Sequence, residues 1–475
     1  MSTEKQEALS IFNSDLTLGL ISSILKDVKG SIRFIGALGS GMYPLARILL
    51  DRGYRISAYD RGYGSGMDVS EGGILWCTHK DARWEDVKLA VYSLAISEDD
   101  PEIVAAVSRG VPIISRAQLL SALMIEAPTR ISVSGSHGKS TTTAILDAIL
   151  TAAGVSHTTV SGAALLSGAS YVDTGTDVFL AEACEYKDSF LRLCPTHQLI
   201  TSVELDHTDY FPSLDAIRAS FLRAAERADT ALVNLDDAIS ANIACELSLR
   251  ADRLPESIVT YGKAEGARYR LTDIKREGEI TSFSVKAKER VIKLKTSLIG
   301  EYNLYNITAA TALCDTLGID EKYIKEAVES FRAIDRRLSR ITEIGGVPVL
   351  YDYAHHPTEL EAVIGAVKER YGRVTVIFKP HTYSRTASLW WDFVRALCKA
   401  DFTILLDIYP AREKPIEGIT SKELVKHIPG AIAVGDSLAA KSALMGQSDV
   451  ILLLGAGDVD RVKEDLIRLG KIQTG

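Results

Sequence analysis

A chain of 475 residues is too long for one ordinary hydrophobic core, and at roughly 150 residues per domain it implies about three. Its 46% apolar and 24% charged residues are the balance of a globular protein. A formal net charge of −8 excludes a broad nucleic-acid-binding surface, which needs clustered Lys and Arg, but leaves room for a local basic pocket.

Cys77, Cys184, Cys194, Cys245, Cys314 and Cys398 are scattered, without a Cys-x-x-Cys pair or a zinc-like spacing, as in a reduced protein. The first residues, Met1 to Glu7, lack the apolar centre of a signal peptide. No apolar run approaches the ~18 residues of a membrane helix. A cytoplasmic protein with no membrane partner is the expectation.

Residues 1–29 read as a helical or loosely ordered lead-in. Ser31 to Ile35 is then a short apolar strand, followed by glycines, a helix over Tyr43 to Asp51, and a strand over Tyr54 to Tyr59 that ends at Asp60. Leu89 to Ser93 and Val111 to Ser115 read as further buried strands, and Pro128-Thr129 as a linker. A second α/β unit begins at Arg130: strand Ile131 to Ser134, a glycine loop, a helix from Lys139 to Ala153, then strands Val178 to Ala181 and Gln198 to Val203. The alternating run Arg268 to Leu298, around Gly278, predicts antiparallel strands or a hairpin. A third unit starts near Arg336, with strands at Val347 to Tyr351, Val374 to Phe378, Phe402 to Leu406 and Val450 to Leu454.

The strongest motif is Gly135-Ser136-His137-Gly138-Lys139-Ser140-Thr141, between a strand and a helix. Glycines let backbone amides approach phosphate oxygens, the lysine reaches the β- and γ-phosphates, and the Ser140 hydroxyl can ligate Mg²⁺. Only two residues separate the first glycine from Gly138-Lys139, where the usual loop has four. Glu182, Glu185, Glu204, Asp206, His207 and Asp209 follow, at or past the ends of the next two strands. Glu182 and His207, read as ending neighbouring strands, suit magnesium; Asp209 and Glu185 suit helix capping and surface charge.

In Asp352-Tyr353-Ala354-His355-His356-Pro357 one contiguous segment does not easily wrap three ligands round one ion, so substrate or nucleotide contacts are the better reading. Arg385, in His381-Thr382-Tyr383-Ser384-Arg385, suits a carboxylate or phosphate. Near the start, Gly36, Gly39 and Gly41 form a strand-to-helix turn, with Asp60 ending the next strand. The spacing is not Gly-x-Gly-x-x-Gly; a nucleotide-diphosphate loop and a simple tight turn both fit it.

Together these residues resemble the Mur ligases, the ADP-forming enzymes that assemble the peptide stem of bacterial peptidoglycan. The likeness runs from about Ile32 to Gly457, and the shortened phosphate loop is that family's form. Ser93-Leu94-Ala95-Ile96, Asp100-Pro101-Glu102, Asp352 to Glu359, Pro380 to Thr386 and Asp407 to Pro415 resemble the branch that adds L-alanine. The resemblance implies an α/β fold of three domains: N-terminal Rossmann-like (1–128), central P-loop-type ATP-binding (129–335) and C-terminal Rossmann-like (336–475). It implies ligation of L-alanine to UDP-N-acetylmuramate with ATP and a pair of Mg²⁺ ions, Mn²⁺ substituting, in a monomer or homodimer.

By position, Gly36, Gly39, Gly41, Met42, Asp60, His79 and Ser93 would then contact the UDP part. Gly135, Ser136, His137, Gly138, Lys139, Ser140, Thr141, Asn303, Asn306, Arg336 and Asp352 would serve ATP, with Ser140, Glu182 and His207 on metal. Tyr353, His355 and Arg385 would take the amino acid, and Lys139, Glu182, His207, His355 and Arg385 would be catalytic. Three positions depart from the family: Tyr302 stands where His is common, Leu338 follows Arg336-Arg337 where Phe is usual, and Thr382 stands where some members carry Arg. Asp215 to Arg227 lacks the carbamylated lysine of several sister ligases, as this branch does.

The principal alternatives are a ligase recycling a preformed peptide onto the same sugar nucleotide, a nicotinamide-dependent oxidoreductase suggested only by the Gly36 turn, and a non-catalytic nucleotide sensor.

Overall fold

A computed structural model describes residues 18–27, 29–62, 70–77, 83–207, 210–250, 254–288, 290–411 and 413–473. His79, Asp209 and Arg412 lie outside the described residues. Among the described residues, three sheets organise the fold.

The first contains β1 (Ser31–Ile35), β2 (Arg55–Tyr59), β3 (Ser70–Glu71), β4 (Ile74–Trp76), β5 (Val87–Tyr92) and β6 (Ile113–Ser115), in the order β3-β4-β2-β1-β5-β6. β1 pairs in parallel with β2 on one side and β5 on the other, so the chain reverses direction across the sheet at the end of β1. Crevices for ligands form at such reversal points, beyond the carboxyl ends of the strands. Ile32, Phe34 and Ile35 are fully buried, as a parallel strand covered on both faces requires. The intervening Arg33 is buried too, and it survives there by donating to Glu102 (3.2 Å) and to the Arg83 carbonyl (3.2 Å), with Trp84 beneath it.

The second sheet has ten strands: β7 (Thr129–Ser134), β8 (His157–Val160), β9 (Tyr171–Asp173), β10 (Val178–Glu182), β11 (His197–Ile200), β12 (Thr230–Asn234), β13 (Ile258–Gly262), β14 (Tyr269–Glu277), β15 (Ile280–Ala287) and β16 (Arg290–Thr296). Their order is β16-β15-β14-β13-β12-β11-β7-β10-β8-β9, so β7 is the reversal point. The run Arg268 to Leu298, expected as antiparallel strands or a hairpin, supplies three consecutive strands at one edge.

The third sheet is β17 (Ser339–Ile344), β18 (Val347–Asp352), β19 (Val374–Phe378), β20 (Phe402–Leu405), β21 (Ile432–Ala433) and β22 (Val450–Leu454), in the order β17-β18-β22-β19-β20-β21. β17, which the sequence reading passed over, forms an antiparallel hairpin with β18 through Gly345 and Gly346, both at positive φ.

The chain divides into two compact units. One comprises Met1–Ile274, Phe283–Leu294 and Asn306–Glu329; the other comprises Lys275–Ser282, Lys295–Tyr305 and Ser330–Gly475. The first sheet and all but the ends of the edge strands β14 to β16 of the second lie in the first unit, and one apolar cluster runs through both sheets, from Leu119, Leu123 and Met124 to Phe190, Leu193 and Phe221. The connection between them is short, residues 125–128, and Thr129 already begins β7. Arg52 ties them electrostatically, holding Asp173 with two bonds of 2.9 Å and Glu126 at 3.2 Å. The lead-in is ordered where it is described, with Leu18–Asp27 a helix that buries Ile21 and Leu25 in the same cluster.

Candidate active site

The Gly135–Thr141 segment leaves the carboxyl end of β7 and turns into the Lys139–Ala152 helix. Gly135 (φ +137°) and Gly138 (φ +84°) have backbone that other residues rarely adopt, and neither has space for a side chain. A Cβ on Gly135 would collide with Thr201 Oγ1, and one on Gly138 with the Asn306 carboxamide. The segment after β11 braces the loop: Ser136 N–H donates to the Ser202 carbonyl (2.8 Å) and His137 N–H to Ser202 Oγ (3.2 Å). First-turn amides of a helix have no partner within it and carry the positive end of its dipole, a ready anion site.

Lys139 folds back over this loop. Its ammonium donates to the carbonyls of Gly135 and Ser136 and reaches the Glu185 carboxylate at 3.2 Å. Burial opposes its charge, but Glu185, with Cys184 and Glu182, outweighs burial and raises the ammonium above the ordinary lysine range. Glu182, the last residue of β10, accepts from Ser140 Oγ (3.1 Å), the Gly162 amide (2.8 Å) and Ser161 Oγ (3.4 Å). His207 stands 3.9 Å from Glu185, with its ring 4.9 Å from that of Tyr186.

Two expectations change here. β11 ends at Ile200 and β10 is not its neighbour; the two strands flank β7, so Glu182 and His207 belong to segments on either side of the loop strand. Glu185 is no surface cap: its side chain is only 1% exposed, makes no capping bond to the helix it precedes, and neutralises Lys139.

At the end of β1, Gly36 (φ +79°) donates to the Tyr59 carbonyl (2.8 Å), and the Ser93 side chain lies beside it. Asp60 shapes this turn by accepting from the amides of Leu38 and Gly62, both at 2.9 Å. Met42 is buried in the apolar core, so only its backbone is available to a ligand.

In the second unit the Asp352 carboxylate is buried and accepts from the amides of Leu338 and Ala354, each at 2.8 Å. Burial pushes it up to about 6, against the pull of Arg337 and these amides. The bond to Leu338 pins a turn in which Arg336 and Leu338 both have positive φ, a conformation a branched or bulky side chain adopts at a cost. His356 is the N-cap of the Pro357–Tyr371 helix, and Glu359 closes the capping box by accepting from the His355 and His356 amides.

His355 sits 5.9 Å from the His381 ring, with Tyr353 5.4 Å away on another side. Burial, opposed by Glu359 and assisted by Arg385, brings its imidazole down to about 4, so it is neutral near pH 7. Tyr353, His355, His381 and Arg385 are thus gathered in one place. Tyr302 packs onto the core of this unit and against Gly300, and burial raises its phenol well above the usual range. Asn303 donates to the Ile299 carbonyl at 2.8 Å, while three residues on, in the first unit, Asn306 lies against Gly138 of the phosphate loop. Arg336 meets Asp335 and Asp460, both at 3.7 Å.

Comparison with known proteins accounts for this arrangement. Residues 31–127 match the model of the Mur ligase family catalytic domain, 133–314 the Mur ligase middle domain, and 336–457 the Mur ligase glutamate ligase domain. A UDP-N-acetylmuramate–L-alanine ligase of Desulfatibacillum aliphaticivorans is 34% identical over 92% of this chain and 98% of its own length. The chain belongs to the Mur ligase family. Another UDP-N-acetylmuramate–L-alanine ligase, from Geotalea uraniireducens, is 35% identical over 92% of this chain and 97% of its own. Among solved structures, the UDP-N-acetylmuramate-alanine ligase MurC of Thermotoga maritima shares the fold with a TM-score of 0.76, covering 94% of this chain and 99% of that one at 24% identity.

For a Mur ligase the oxygen donors here suit magnesium. Ser140 Oγ and the Glu182 carboxylate converge at the helix start, a hard-oxygen pair beside a phosphate loop. His207 is joined instead to the Lys139–Glu185 pair. The sequence reading missed Glu185 as a functional residue; its signal was its place three residues after Glu182 on the same post-strand segment. Among the described residues no helix is long and apolar enough to cross a membrane.

Proposed function

We propose that this Mur ligase joins L-alanine to the lactyl carboxylate of UDP-N-acetylmuramate, converting ATP to ADP and phosphate, in the cytoplasmic synthesis of peptidoglycan precursors. The observation that carries the reaction type is the Lys139 ammonium held between the loop carbonyls and Glu185, with Ser140 on Glu182 one residue away. The choice of alanine rests on relatives of nearly the same length named for that reaction.

In the first step a lactyl carboxylate oxygen bonds to the γ-phosphorus and the bond to ADP breaks, leaving an acyl phosphate. The alanine amine then adds to the acyl carbon, loses a proton, and expels phosphate. Lys139 offsets charge on the transferring phosphoryl group, the loop amides hold the phosphates, and Glu185 fixes the lysine and meets His207. When bound at Ser140 and Glu182, magnesium supplies charge neutralisation of the triphosphate. Arg385 suits the alanine carboxylate, with His355, kept neutral by burial, beside it.

The test is alanine-dependent ADP release by wild type and Lys139→Ala. Loss of at least about a thousandfold is expected; full turnover in the variant would sink the assignment of the loop.

A further inference from the structure

The segment that follows β10 carries Glu185 onto Lys139 and then turns sharply. Lys187 (φ +52°) and Asp188 (φ +55°) are consecutive non-glycine residues in the left-handed region. Side chains reach that region at a cost, and a consecutive pair persists only where its surroundings fix it. His207, on the segment that follows β11, is at φ +53° as well.

The Asp188 carboxylate supplies the fixing contacts. One oxygen accepts from the hydroxyl of fully buried Ser220, on the Leu214–Glu226 helix. The other accepts from the Tyr210 phenol at 2.9 Å and from Arg223 at 3.2 Å. Arg223 is exposed, so its ion pair stabilises little, and a surface pair does not account for the two hydroxyl bonds. Tyr210 in turn donates its amide to the His207 carbonyl (2.8 Å). One carboxylate therefore joins the segment bearing Glu185, the segment bearing His207, and a helix. Across this bridge the Tyr186 ring lies 4.9 Å from that of His207 and 6.3 Å from that of Tyr210. Glu185, one residue before Tyr186, stands 3.9 Å from His207 and 3.2 Å from Lys139.

We propose that Asp188 is a positioning residue for phosphoryl transfer: by bridging Tyr210 and Ser220 it holds Glu185 on Lys139 and His207 beside them. This rests on reading the Lys139 cluster as the phosphoryl-transfer site. Asp188 acts through these groups and touches no reacting atom. Displacing positioned groups by about 1 Å costs a reaction about a hundredfold in rate, so a tether of this kind is felt in kcat.

The test is steady-state phosphate release by the full chain with UDP-N-acetylmuramate, ATP and L-alanine. Asp188→Asn leaves buried Ser220 an acceptor oxygen but sets an amide donor against Tyr210 and Arg223. Tyr210→Phe removes the same link from its other end and leaves Ser220 untouched. Each variant should lower kcat about ten- to a hundredfold with KM values within about twofold of wild type. Because both changes cut one link, the double variant should be no slower than the slower single variant. If Asp188→Asn fails to fold, Tyr210→Phe carries the test with the same loss of kcat expected. A kcat within about twofold of wild type in the folded variants, or a loss confined to KM, overturns the positioning role. Losses that multiply in the double variant overturn it too. A wild type that releases no phosphate overturns the phosphoryl-transfer reading itself, and the inference with it.

Discussion

Glu182 and Asp352 occupy the same kind of position, each the acidic last residue of a buried strand at the carboxyl edge of a parallel stretch of sheet. Their partners differ. Glu182 accepts from two serine hydroxyls and one loop amide, whereas Asp352 accepts from two backbone amides, one of which belongs to a turn at positive φ. Hydroxyl donors can rotate away and leave a carboxylate for a cation. Backbone amides in a pinned turn cannot, and unmaking those bonds strands buried donors. An acid at a strand end is therefore chemistry or scaffold according to what donates to it.

The largest effect separating the two is on catalysis. Glu182→Ala should lower alanine-dependent phosphate release about a hundred- to a thousandfold while moving stability by less than about 1 kcal/mol. An equal loss of stability and rate would erase the contrast. Asp352→Ala leaves the Leu338 and Ala354 amides unpaired and should cost about 2–4 kcal/mol in urea unfolding. A stability change under about 0.5 kcal/mol there would make Asp352 a ligand group and not a scaffold.

The smallest effect is in pH. Because Asp352 is raised to about 6 in the folded chain from an ordinary 3.8, the native state keeps its proton where the unfolded chain has lost it. Its contribution is complete below about pH 4 and declines as pH rises through about 6. Urea midpoints should accordingly show the advantage of wild type over Asp352→Ala shrinking between these values and flat above them. An advantage that grows with pH contradicts the assignment.

What the sequence made legible follows the same division. The phosphate loop could be read directly because glycine spacing, a preceding apolar strand and a following helix are local, and Gly135 and Gly138 turn out to need both their φ and their lack of a side chain. The first βαβ unit was legible for the same reason, with Ser31–Ile35 and Tyr43–Asp51 falling where the apolar pattern puts them. Partnerships across strands were not. Glu185 reads as a surface cap until the fold sets it 3.2 Å from Lys139. Nor does local pattern reveal that β7 separates β10 from β11, since strand order is set by long-range pairing. The paired histidines show a third case: His356 is consumed in a capping box, and its neighbour His355 joins the His381–Arg385 cluster.

The central claim is amide-bond formation between alanine and the sugar-nucleotide carboxylate. It is tested most directly by phosphate release from ATP with UDP-N-acetylmuramate, screened across free amino acids and a stem tripeptide. Release that requires UDP-N-acetylmuramate and is fastest with L-alanine is the predicted result. Release with the tripeptide but not with alanine, or release indifferent to UDP-N-acetylmuramate, would contradict it.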